Sequence, residues 1–172
     1  MKQEDSRASV EEYMAHLELL VPLPKTSRLV WYDCTRTKAF LTVNQSHGVP
    51  FGVRCTTGAA ICLQSAIDGY LPQTGLRVIV EVKAKDAVDT SAVRQAAVKV
   101  CLANIHAPRL RPIGLLSDLR DRWTFIWMED GMLRFCTVSR IVAVLVLRRV
   151  VREETVQRNG EIRHSGQERE DD

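Results

Sequence analysis

The chain has 172 residues, is 45% hydrophobic and carries a formal net charge of +3 at pH 7. This is enough for one sizeable core and too little for two, so a single domain over residues 1–152 is expected, followed by a charged, disordered tail over 153–172. The polar start MKQEDSRASVEE has no apolar signal core, and the longest uncharged apolar run, Ile141 to Leu147, is far short of a membrane span. The expectation is therefore an intracellular protein, nuclear or cytoplasmic, with no membrane association.

Along the chain, Val10, Tyr13, Met14, Leu17 and Leu20 recur at helical spacing, and Ser9 reads as a cap. This first helix should end before Pro22 and Pro24. Two strand-like bursts, LVWYDC and KAFLTV, fall between Arg28 and Val43 and predict a hairpin. Asn44 to Ala60 is rich in Gly, Ser, Thr and Pro and reads as a surface loop.

The stretch Ile67 to Lys85, IDGYLPQTGLRVIVEVKAK, is the most informative. Side chains alternate along a strand, which puts Leu76, Val78, Val80 and Val82 on one face and Ile79, Glu81, Lys83 and Lys85 on the other. A hairpin at Pro72 to Gly75 is expected to bring Asp68 back beside Glu81. Two carboxylates next to a lysine can bind a hard divalent cation and hold a water beside it. The same strand also reads as an edge strand with charges on its wet face.

Downstream, Asp89 caps a helix whose apolar positions Val93, Ala96, Ala97, Val100, Cys101 and Ile105 keep helical spacing up to His106. Pro112 to Leu116 reads as a short buried strand. Arg122 to Met128 and Met132 to Val138 flank Glu129-Asp130-Gly131, a hairpin turn signal. Ile141 to Val151 predicts a last helix. Five scattered cysteines without a CxxC pair predict reduced thiols, not a zinc site or disulfide framework, and Cys101 reads as a small hydrophobe. His16, His47, His106 and His164 share no ligand spacing. Trp31, Trp123 and Trp127 sit at strand positions, where core packing is expected ahead of base stacking. Arginines outnumber lysines, and the acidic residues of the tail leave the rest of the chain more basic than the total, which is compatible with a nucleic-acid partner.

This order of elements, with Ile67-Asp68, then Glu81-Val82-Lys83, then a helix carrying Gln95, resembles the PD-(D/E)XK nuclease superfamily. The resemblance covers Val10 to Val151. It implies an α/β restriction-endonuclease-like core, a central mixed sheet flanked by helices. It also implies metal-dependent hydrolysis of phosphodiesters, with DNA expected ahead of RNA. Asp68, Glu81 and the main-chain carbonyl of Val82 would hold Mg2+ or Mn2+, and Lys83 would orient water and stabilise phosphate charge. A first-helix glutamate, Glu11, Glu12 or Glu18, with Glu12 the first choice, would complete the shell, and Gln95 would reach the site. Isoleucine replaces the motif proline, and Lys99 stands where some branches carry a tyrosine four residues after the glutamine. The segment IGLLSDLRDRWTFIWMEDG is also similar to the late strands of nuclease-like domains in crinkler-type effectors. That likeness opens an alternative, a catalytically weak or inactive nuclease-like domain that binds nucleic acid or host protein.

Overall fold

The computed structural model describes residues 7–84 and 87–165, with side chains over 10–84 and 87–152. The first helix, α1, runs Arg7–Leu20, so Ser9 lies inside it and not at its cap. Then come β1 (Leu29–Asp33), β2 (Leu41–Val43), β3 (Val53–Cys55), β4 (Ala59–Leu63), a short helix α2 (Gln64–Asp68) and β5 (Leu76–Val82). They are followed by α3 (Thr90–His106), β6 (Ile113–Ser117), β7 (Trp123–Glu129), β8 (Met132–Val138) and α4 (Arg140–Ser165). Among the described residues no helix is long and apolar enough to cross a membrane.

Six strands form one mixed sheet in the order β1-β4-β5-β6-β7-β8. Only β5 and β6 pair in parallel, joined through α3, because a parallel pair needs a long crossover where an antiparallel one needs only a turn. The β7–β8 hairpin forms as its sequence predicts. The hairpin expected between the first two strands does not: β1 pairs with β4, and β2 pairs with β3 in a separate two-stranded ribbon. The predicted loop over 44–60 therefore contains a strand and the start of another.

Apolar side chains fill both faces of the sheet. On one face Ile79, Leu116 and Ile126 pack with Ala92, Ala96, Val100 and Ala103 of α3 and with Leu41 and Val43 of β2. On the other, Val78, Val80, Leu115 and Phe125 pack with Leu17 of α1 and with Ala143 and Leu147 of α4. Trp123 is fully buried in this second cluster, and Trp31 and Trp127 pack against it. Leu76 joins the α3 face, against the alternation that would group it with Val78. The register steps from Ile61↔Val78 to Cys62↔Leu76, leaving Arg77 as an extra residue on β5, and a bulge of this kind re-aims the side chains beyond it. Lys85 and residues 166–172 lie outside the described residues. The last helix runs Arg140–Ser165, past Val151, where the sequence reading ends it.

The five cysteines are free thiols. Burial pushes the Cys62 thiol up to about 12 and raises Cys34 and Cys101 as well. Cys101 is half-buried on α3, and its raised thiol agrees with a packing role, not a nucleophilic one.

Candidate functional site

The sheet's strand directions decide which residues can meet. β1 and β5 end, and β4 begins, at the same end of the sheet, since Asp33 pairs with Ala59 and Ala59 with Val80. A cleft of about 740 Å3 opens there. Its walls are Glu11 and Tyr13 of α1, Asp33 with the 3-10 turn that follows it, Thr56 to Gly58, Glu81 to Lys83, and Lys99 of α3.

Glu81 stands at its centre with a side chain only 12% exposed. Lys83 Nζ lies 2.9 Å from Glu81 Oε1, and Lys99 Nζ donates to Oε2 at 2.5 Å. Glu81 Oε2 thus takes a charge-assisted hydrogen bond from the helix packed above it, and Oε1 an ion-pair contact from Lys83, the residue that follows β5. Lys99 is held by its setting, because Ala96, Val100 and Ala103 anchor α3 on the sheet around it. Lys83 is fixed through its backbone, whose N–H donates to the Ser117 carbonyl at 3.0 Å.

Asp33 occupies the adjoining wall. It accepts from Thr35 N at 2.9 Å, Thr35 Oγ1 at 2.5 Å and Arg36 Nε at 2.9 Å. Burial acts to raise its carboxyl, but the Thr35 and Arg36 hydrogen bonds outweigh it and hold Asp33 below the usual carboxylate value. Opposite, Thr57 Oγ1 donates to Val80 O at 3.1 Å, which ties the start of β4 to β5.

The expected metal constellation is not assembled. Asp68 ends α2, is exposed, and accepts from Gln64 Nε2 at 2.7 Å. Since Leu76 pairs with Cys62, Asp68, in the segment after β4, follows the end of the strand pair opposite to Glu81, and it is not part of the cleft lining. The residue opposite Glu81 on β4, one step outward from Ala59↔Val80, is Gly58, which has no side chain. Glu12 and Glu18 are exposed and outside the cleft lining, while Glu11 is within it. Gln95 is also exposed and outside the lining; Lys99, one turn further along α3, is the residue that enters. Val82 is half-buried and lines the cleft.

The donor set therefore does not fit a divalent cation held by Asp68, Glu81, Val82 and Glu12. At about 4 Å and an effective dielectric near 20, a dication is repelled by roughly 8 kcal/mol per ammonium, twice the unit-charge value, and attracted by as much per carboxylate. Beside Glu81 there are two ammoniums for one carboxylate. That excess beside Glu81 favours an anion there, while over the whole lining Glu11, Asp33 and Glu81 balance Arg36, Lys83 and Lys99. Each ammonium has three donors, and Lys99 uses one on Glu81, so donors remain for a second oxygen ligand.

Elsewhere, the structure brings together two histidines that share no sequence spacing. The His47 and His106 rings meet edge to face with centroids 5.0 Å apart. No protein-family model matches the chain, and no match is found among curated proteins or solved structures.

Proposed function

We propose that this chain is a nucleic-acid-binding domain on a restriction-endonuclease-like core, and that the cleft receives a backbone phosphate, with DNA the expected partner. The observation that carries this reading is the Lys83–Glu81–Lys99 triad, a fixed pair of ammoniums with spare donors at the floor of an open cleft. Arg36 at the rim, 70% exposed, adds a guanidinium whose planar fork suits phosphate oxygens. Thr56 of the wall supplies a further hydroxyl, those of Thr35 and Thr57 being donated to Asp33 and to the Val80 carbonyl. Such contacts recognise the backbone and position the strand without reading its sequence.

The test is fluorescence anisotropy with labelled single- and double-stranded DNA over a range of salt. Binding should weaken as salt rises, because phosphate contacts release counterions. Lys83→Ala and Arg36→Ala should each weaken binding about equally across sequences and make the salt slope shallower. Absence of binding to every DNA and RNA probe at low salt would sink the reading.

Metal-dependent phosphodiester hydrolysis is the second reading. One observation favours it: Glu11 and Asp33 line the same cleft as Glu81 and Lys83. Cleavage of plasmid or oligonucleotide in Mg2+ or Mn2+ that disappears in Lys83→Ala would move this reading to first place.

A further inference from the structure

We propose that Lys99 takes the place of a divalent cation beside Glu81, so that the cleft binds phosphate without metal. This rests on the phosphate reading above and adds to it the identity of the charge that meets the anion.

Three observations converge on the same point. First, Lys99 Nζ lies 2.5 Å from Glu81 Oε2, with both side chains 12% exposed, so the oxygen a cation would take already carries an ammonium. Second, the position on the neighbouring strand beside Glu81 is Gly58, and of the cleft's other carboxylates, Glu11 and Asp33 on other walls, Asp33 is already held by Thr35 and Arg36. A Cβ built at Gly58 would lie 3.0 Å from Tyr13 Oη and 3.4 Å from Val80 O, so the backbone of β4 approaches its neighbours where a ligating side chain would have to start. Third, Lys83 Nζ covers the other oxygen, Oε1, at 2.9 Å. Glu81 is thus the anchor that sets two ammoniums apart and aims them, not a metal ligand.

The chemical consequence differs from that of a metal. An ammonium supplies one positive charge and hydrogen-bond donors, but it has no open coordination position at which to lower the pKa of a water. A phosphate held here is bound and not activated for attack. The ligand class is a phosphate oxyanion, either free inorganic phosphate or the phosphodiester of a nucleic-acid strand.

Calorimetric titration of the full chain decides the matter, with inorganic phosphate and a short single-stranded DNA as separate probes, each in excess EDTA and in millimolar Mg2+. The expected result is the same affinity in both buffers for whichever probe binds. Lys99→Gln should weaken that binding about tenfold or more, and Lys99→Arg should restore most of it. Thermal unfolding shows that each variant is folded; should Lys99→Gln fail to fold, the EDTA arm and Lys99→Arg still decide. Manganese titration is the complementary arm: the parent should show no saturable Mn2+ binding. The inference is overturned if EDTA abolishes binding and Mg2+ restores it, if the parent itself binds Mn2+ saturably, or if Lys99→Gln binds phosphate as the parent does. If inorganic phosphate binds without metal while no oligonucleotide does, the inference stands and the nucleic-acid reading falls. If neither probe binds in either buffer, both fall.

Discussion

Gly114 lies on β6 where Val100 of α3 comes down onto the sheet, and a Cβ there would stand 2.5 Å from Val100 Cγ2. Val100 is fully buried and has nowhere to retreat. Gly114→Ala should therefore destabilise by about 1–3 kcal/mol through overpacking, read as a lower midpoint in urea unfolding with an unchanged slope. A parental midpoint would show that α3 can lift freely from the sheet, and with it Lys99. At this scale the cleft was partly legible from sequence. Glu81 and Lys83 fall two apart on a strand, so alternation alone puts them on one face, and the structure adds a direct ion pair. Asp68 was misplaced because antiparallel partners stand at matching distances from their turn. Glu81 lies a strand's length past Gly75, so its partner must lie equally far back, beyond α2, at Gly58. Lys99 could have been found from helical periodicity, since it follows Gln95 by one turn and shares its side of α3. Asp33 gave no such signal; its role depends on a pairing with β4 across an insertion that contains β2 and β3.

The β7–β8 hairpin shows what an element owes to its turn. Asp130 and Gly131 have φ of 51° and 74°, the left-handed pair that matches the twist of two antiparallel strands. A Cβ added at Gly131 meets nothing within 4 Å, so any cost of a substitution there comes from the backbone alone. Gly131→Val should lose about 1–2 kcal/mol for holding a β-branched residue at positive φ. Gly131→Asn, which tolerates that conformation better, should lose less. Equal stability of all three proteins in chemical unfolding would mean that the turn can change type at no cost. This hairpin was legible because its signal is local, two strand-like runs about an Asp-Gly pair. The β2–β3 ribbon was not, since Leu41–Val43 and Val53–Cys55 are too short to show alternation and stand across a stretch whose Gly, Ser and Pro content reads as loop. The partner of β1 was hidden for the same reason, because sequence patterns identify strands more readily than they identify which strands pair.

For the whole molecule, three perturbed groups among the described residues set how stability follows pH below neutrality. His106 ends α3 half-buried; burial pushes its pKa below 6.5, His47 beside it acts in the same direction, and a backbone hydrogen bond at Thr42 opposes both. The unfolded chain therefore takes up a proton near pH 6.5 that the folded chain resists. This contribution to stability is complete above about pH 6.5 and declines below it, until the folded histidine also titrates. Asp33 and Asp118 act at lower pH. Burial raises each carboxyl, but hydrogen bonds outweigh it and hold both below 3.8, in Asp118 through the backbone N–H groups of Arg120, Asp121 and Arg122 at 2.9 to 3.0 Å. Their stabilisation is present above about 3.8 and is lost as pH falls through the folded values. Acid unfolding should accordingly show two stages, one beginning near pH 6.5 and one near pH 3.8. His106→Gln should remove the first and keep the second, whereas Asp118→Asn should flatten the second and keep the first. Thermal midpoints across the acid range check this for all three proteins. If His106→Gln still loses stability between neutrality and pH 5 as the parent does, the proton uptake lies elsewhere and the paired rings are not its source.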